Sequence, residues 1–243
     1  MLRRAAGRLA RAYGALATLP FFLRRDRIAP PRDLSHGAWI DTLSERFDRP
    51  GLRVLEVGSR NVTGANFRHR FARAEYVGFD FYAGENVDVV GDAHRLSSYF
   101  GEDERFDLIF SSAVFEHLAM PWVAAAEIAR LLKVGGHVFI ETHFSFRAHE
   151  RPWNFFQFSD MGLRALFNDG LGFDLVEKGM SSPIAGYFTA AARPGLRFSP
   201  ITEMYGHSEI LCRKRAEPPA GFDWGRLPLD AVVDGTRYPE PAR

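Results

Sequence analysis

The chain has 243 residues, 46% hydrophobic and 25% charged, with 22 Phe and 4 Trp; this is the composition of a folded globular protein and excludes disorder of the whole chain. A single cysteine, Cys212, excludes a disulfide framework and a cysteine-based zinc cluster. The formal net charge of +1 hides an asymmetry: residues 1–27 sum to +6 and the remainder to −5, so no nucleic-acid partner is expected for the body of the chain.

Residues 2–19 read as an amphipathic helix ended by Pro20, with Leu2, Leu9, Tyr13 and Leu16 on one face and Arg4, Arg8 and Arg11 on the other. Three roles fit it: a helix packed on the domain, a basic helix touching a membrane surface through residues 2–23, or a targeting peptide. The apolar run 12–23 is too short to span a bilayer and stops at Arg24 and Arg25 without a small-x-small cleavage site. The expectation is a cytoplasmic protein, with peripheral membrane contact as the alternative; the oligomeric state is not readable.

Residues 28–33, with Pro30 and Pro31, read as a linker, and 39–47 as a short helix carrying Trp39, Ile40, Leu43 and Phe47 on one face. Strands are predicted at 53–57, 76–80, 87–90, 106–111, 137–141, 173–178 and 208–213. Helices are predicted at 66–72, at 121–132 with Pro121 in its first turn, and at 160–167 with Ser159 or Asp160 as cap. Gly135-Gly136 is a turn, and the Pro-rich segment from Ala216 reads as an extended surface tail. This alternation implies an α/β fold: a seven-stranded, mostly parallel sheet with helices on both faces. The predicted organisation is an N-terminal helix (1–27), a linker and capping helix (28–52), the main domain (53–215) and a tail (216–243).

In such sheets a ligand sits beyond the carboxyl ends of the strands, so the residues after each strand form a set. The first strand is followed by Gly58-Ser59-Arg60, with Gly64 opening the next predicted helix, whose free N–H groups would suit an anion. The second ends in Asp80-Phe81, where a carboxylate can accept both hydroxyls of a ribose. The third is followed by Gly91-Asp92-Ala93, a second carboxylate for an adenine amino group. The fourth leads through Ser111 to Glu116-His117.

The stretches LEVGS (55–59), VGFD (77–80), GDA (91–93), FDLIFSSAVFEHL (106–118) and LLKVGGHVFIE (131–141) together resemble the class I S-adenosylmethionine-dependent methyltransferases, in particular a type-11-like group acting on small molecules and glycans. The resemblance implies a Rossmann-like three-layer fold and S-adenosylmethionine as cofactor. It implies Glu56 and Gly58, with Ser59 and Arg60, at the methionine part. It further implies Asp80 and Phe81 at the ribose, Asp92 and Ala93 at the adenine, and Ser111 near the methyl-bearing end. Arg60 stands where the family's second glycine is usual; pairing with the cofactor carboxylate and pointing to solvent are both open for it.

A hydroxyl acceptor needs a base, whereas an amine needs only to be neutral. The candidates are His143, expected beside Glu141 on one side of the strand end, then His149 and His117. Some quinone-biosynthesis members hold a divalent ion through a glutamate three residues before the Glu-His pair. That position is Ala113 here, so no metal is expected. The segment 149–163 resembles a substrate-side element of the family, but Asn154 and Gln157 replace its charged residues, which implies a more neutral pocket. The expected function is methyl transfer to a small-molecule or sugar acceptor, as O- or N-methylation. A catalytically silent cofactor-binding scaffold, or a regulatory subunit of methyltransferase-like fold, is the alternative. A nicotinamide-dependent oxidoreductase is disfavoured, because no G-x-G-x-x-G accompanies the first turn.

Overall fold

The computed structural model describes residues 28–233 apart from 29 and 63. The predicted helix at 2–19, its membrane contact through 2–23, and the tail beyond 233 lie outside the described residues. Among the described residues no helix is long and apolar enough to cross a membrane.

Seven strands form one sheet: β1 (Arg53–Val57), β2 (Glu75–Asp80), β3 (Val89–Val90), β4 (Phe106–Ser112), β5 (Leu132–His143), β6 (Phe173–Tyr187) and β7 (Pro200–Lys214). Their order is β3-β2-β1-β4-β5-β7-β6; the first five run parallel, and β7 is antiparallel to both β5 and β6. The chain winds outward from β1 to β3 and then returns to lay β4 on the other side of β1. The order therefore reverses between β1 and β4, and the crevice beyond their carboxyl ends is where a ligand fits.

The central strands read as near-continuous apolar runs because both faces are covered. On one face Leu55, Val57, Phe106, Ile109, Val138, Ile140, Ile210 and Cys212 pack with Ala124, Ala125, Ile128, Leu163 and Leu166 of two helices, α2 (Pro121–Leu131) and α3 (Asp160–Leu166). On the other face Val54, Leu108, Phe110, Phe139 and Leu211 pack with Trp39, Leu43 and Phe47 of α1 (Trp39–Phe47) and with Phe71. Adjacent residues of β4 thus serve opposite cores, as the period-2 geometry of a strand requires. Pro121 opens α2, and the Ser159 hydroxyl caps α3 by accepting the Gly162 N–H at 3.0 Å.

The predicted helix at 66–72 is only a 3-10 turn, Arg68–Phe71. The stretch offers one buried apolar residue, Phe71, and no amphipathic stripe. Arg68 instead reaches across to Asn86 Oδ1 (2.8 Å) and Asp88 Oδ2 (2.5 Å). Among the described residues, no α-helix N-terminus therefore faces the ligand crevice near Gly64. β3 is also shorter than expected, and β5 runs from Leu132 through the glycine pair to His143. The last two strands are 15 residues each and continue past β5 as a hairpin, in which 183–187 and 200–205 are strand-paired with one another. The tail is not simply extended: Phe222 and Trp224 pack on the core, and a short helix, α4 (Leu229–Val233), follows.

The predicted linker is a strap. The Arg32 and Asp33 N–H groups bind Glu177 Oε1, Pro31 lies on Gly179, and the His36 N–H reaches Ser181 Oγ at 3.2 Å. Glu141 Oε2 holds the His36 ring at 2.7 Å, and that ring stacks on His207 with centroids 3.8 Å apart. The Glu141 hydrogen bond raises the His36 pKa above its ordinary 6.5 against the opposing effect of burial, and the Glu141 and Glu209 charges add to the rise. A histidine raised on folding contributes fully below its unfolded pKa, and the contribution is lost as pH rises through the folded value. Tryptic cleavage after Arg32, normalised to an unfolded peptide, is therefore expected to accelerate between pH 6 and pH 8.5. In His36→Gln the cleavage should lose that pH dependence; an equal slope in both proteins would reject the role of His36.

Candidate functional site

At the end of β1, Gly58 has φ +91°, and the N–H groups of Gly58 and Ser59 bind the Phe79 carbonyl at 2.8 and 3.0 Å. A Cβ at position 58 would overlap the Val114 side chain, so glycine is needed there both for conformation and for space. Ser59 is buried and donates to the Asn86 carbonyl at 3.0 Å, while Asn86 Nδ2 donates back to the Ser59 carbonyl at 2.9 Å. Ser59 thus ties the loop together. Glu56 is buried against the Tyr76 hydroxyl, which donates to it; burial pushes the Glu56 pKa up to about 7, with Tyr76 and Arg68 opposing.

At the end of β2, both oxygens of Asp80 are engaged. Oδ1 accepts from Arg60 Nε (3.2 Å) and the Tyr82 N–H (3.0 Å), and Oδ2 from the Arg60 N–H (3.2 Å). Arg60 thus does not simply point to solvent; it pairs with the carboxylate at the end of the neighbouring strand. Phe81 and Tyr82, next in the chain, are exposed and stand edge to face with centroids 4.9 Å apart. Asp92 caps a 3-10 turn (Ala93–Tyr99) by accepting the His94 N–H at 2.9 Å, with the His94 ring nitrogen at 2.6 Å. Burial pushes its pKa up, but the two His94 contacts outweigh that and hold the carboxyl below its usual value. Ala93 is buried beneath it. Ser111 is fully buried and donates to the Val57 carbonyl at 2.8 Å, so its hydroxyl is a tie between β4 and β1.

Beyond β4 and β5, the three candidate histidines come together around one carboxylate. Glu116 is fully buried; the Thr142 hydroxyl donates to its Oε2 at 2.6 Å. Around Oε1 lie His143 Nδ1 at 2.7 Å, His117 Nε2 at 3.8 Å and His149 Nε2 at 4.0 Å. Burial favours the neutral acid, but the His143 and Thr142 contacts outweigh it and keep the Glu116 pKa below its ordinary value. The sequence reading pairs His143 with Glu141. In the structure Glu141 is taken by His36 and by the Ser112 hydroxyl (2.9 Å), and the partner of His143 is Glu116. The His143 ring stacks on Phe146, 4.2 Å away and nearly parallel.

Sequence reasoning misses Glu116 as the centre of this cluster, and also Thr142, His207 and Glu209. Glu209 is fully buried beside Ser181, and burial pushes its pKa up to about 8. The only signal in the chain is a crowding of His and Glu at the ends of β4, β5 and β7. On the substrate-side segment Trp153 and Phe155 are exposed, whereas Phe158 is buried and Phe156 packs on the core. Gln157 donates to the Phe146 carbonyl at 3.0 Å.

Residues 51–140 match the family model described as a methyltransferase domain. No curated protein matches the chain. Among solved structures it is similar to the YcgJ protein from Bacillus subtilis (18% identity, TM-score 0.51, covering 73% of this chain and 98% of that one). It is also similar to the Burkholderia thailandensis 1,6-didemethyltoxoflavin-N1-methyltransferase, solved with 1,6-didemethyltoxoflavin and S-adenosylhomocysteine (17% identity, TM-score 0.51, covering 73% and 76%). Over residues 51–140 the chain is similar to a methyltransferase domain, and its seven-stranded, mostly parallel sheet has the Rossmann-like fold of the methyltransferase structures it resembles.

Proposed function

We propose that this protein moves a methyl group from S-adenosylmethionine to an oxygen or nitrogen of a small-molecule or sugar acceptor. The observation that carries this reading is the buried Glu116–His143 pair at the ends of β4 and β5, adjoining strand ends whose chemistry suits a nucleoside. Asp80 and Asp92 are acceptors for ribose hydroxyls and an exocyclic amine, and the exposed Phe81 and Tyr82 rings offer faces for a base. One rearrangement is needed: Arg60 Nε must leave Asp80, and being part-exposed it has room to turn.

When bound, S-adenosylmethionine supplies a methyl group on a sulfonium, already activated for in-line displacement. The chain's work is to hold the acceptor in line and to take its proton. His143 is the first candidate for that proton and Glu116 the group that steadies its ring; His149 and His117 are second candidates from the same cluster.

The test is acceptor-dependent release of S-adenosylhomocysteine across a panel of small hydroxyl, amine and sugar acceptors. Cofactor binding with no release across the whole panel would favour the scaffold reading. Asp80→Ala is expected to weaken S-adenosylmethionine binding by about ten- to a hundredfold, the worth of roughly 1.5–3 kcal/mol for hydrogen bonds to a charged group. Calorimetry showing unchanged affinity in a folded variant would remove Asp80 from the site.

A further inference from the structure

Two buried atoms at the centre of the histidine cluster, Glu116 Oε1 and His143 Nδ1, face each other as a charge pair but have no well-aligned hydrogen bond among the described residues. They lie 2.7 Å apart, yet not in hydrogen-bonding alignment. An orphaned buried carboxylate oxygen is costly unless something positive completes it.

The surrounding groups are set as ligand supports are. His149 Nδ1 faces the Arg147 carbonyl at 3.0 Å, and His117 Nδ1 faces the Trp153 carbonyl. A ring nitrogen facing a carbonyl must carry the proton, so in the neutral ring each Nε2 is a bare lone pair turned toward Glu116. Thr142 occupies the other carboxylate oxygen and leaves Oε1 alone to face the histidines. Lone pairs of imidazoles and a carboxylate converging on one point repel one another unless a proton or a metal cation lies between them, and four such donors around one point are more than a single shared proton serves.

We infer that Glu116, His143 and His149, with His117 beside them, form a binding site for a divalent transition-metal ion. Two imidazoles and one carboxylate are a donor set for zinc or iron rather than for calcium or magnesium. The three donor atoms lie within 4.8 Å of one another. Bonds of about 2.0–2.1 Å require donor–donor edges of roughly 3.0–3.4 Å. The shortest edge, 2.7 Å, needs to open slightly, and the 4.0 Å edge to His149 needs to close. His149 sits on the loop after β5, outside regular structure, where such closure involves no strand. The expectation of no metal rests on Ala113; it does not bear on this set, because two of the three donors come from β5 and the loop that follows it.

The site shares Glu116, His143 and His149 with the proposed proton-accepting cluster, so its test is binding itself, which reads the ion and not turnover. Tag-free, full-length protein is stripped with chelator and titrated with Co²⁺, which reports an imidazole–carboxylate site by its visible absorption. One ion per chain is expected, displaced by Zn²⁺, with His149→Ala and Glu116→Gln each binding at least ~10-fold more weakly. His69→Ala, at an exposed histidine outside the cluster, is expected to bind as the parent does. Should Glu116→Gln fail to fold, His149→Ala still decides, since that ring is partly exposed. Absence of a cobalt spectrum up to millimolar Co²⁺, or an affinity unchanged in His149→Ala, would overturn the site. Either result leaves the methyl-transfer reading where it stands, and absence of turnover would leave the metal site where it stands.

Discussion

His143→Ala is expected to lower turnover of a hydroxyl acceptor by ~10²–10⁴-fold while S-adenosylmethionine affinity stays within a few-fold, the usual worth of a positioned proton acceptor. The separation follows from placement: His143 ends β5 against Glu116, whereas the nucleoside-suited groups end β2 and β3. For an amine acceptor that is already neutral the loss should be much smaller, because orientation then carries most of the rate. Single-turnover rates beside calorimetric cofactor affinity separate these cases. Unchanged single-turnover rates with a hydroxyl acceptor would end the role of His143. A metal-loaded cluster would give a similar loss through a missing ligand, and chelator treatment of the parent protein tells the two apart: it silences only a metal-dependent reaction.

The second large effect is on stability. Phe110 is fully buried in β4, with ring centroids 5.5 Å from Phe71, 5.9 Å from Trp39 and 6.3 Å from Phe67. It joins α1 and the Arg68–Phe71 turn to the sheet directly behind the strand ends. Phe110→Ala is expected to cost ~3–5 kcal/mol, for lost burial plus the cavity left behind. That is a large part of the roughly 5–15 kcal/mol that keeps a domain folded. In urea the midpoint should fall sharply with the slope unchanged. A loss below about 1 kcal/mol would mean that the surrounding rings collapse into the gap.

The sheet was legible because its signals are local. Apolar β-branched runs, the glycine at 58 and the acids at 80 and 92 each announce themselves within a few residues, and the structure puts all of them at strand ends. What was not legible depends on contacts between distant segments. Nothing near Arg60 shows that its guanidinium will pair with Asp80, and nothing near Arg68 shows that it will bind Asn86 and Asp88 in place of building a helix. The Glu141–His143 pairing failed for a related reason. Strand periodicity predicts which side of the sheet a residue takes, but not that His36 arrives from the strap to claim Glu141. Nor does it predict that Glu116, from the far end of another loop, takes His143.

The hairpin of β6 and β7 has a consequence for how the molecule opens. From His207 to Arg213, β7 has β5 on one side and β6 on the other, while among the described residues 200–205 is strand-paired with 183–187 and not with β5. A two-stranded ribbon is marginally stable by itself. The same two strands therefore belong to two cooperative units: a base whose amide hydrogens exchange only when the whole sheet opens, and a tip whose amides exchange through openings that leave the fold intact. Along a single strand, protection from exchange should drop between His207 and Tyr205 rather than decline smoothly toward the turn.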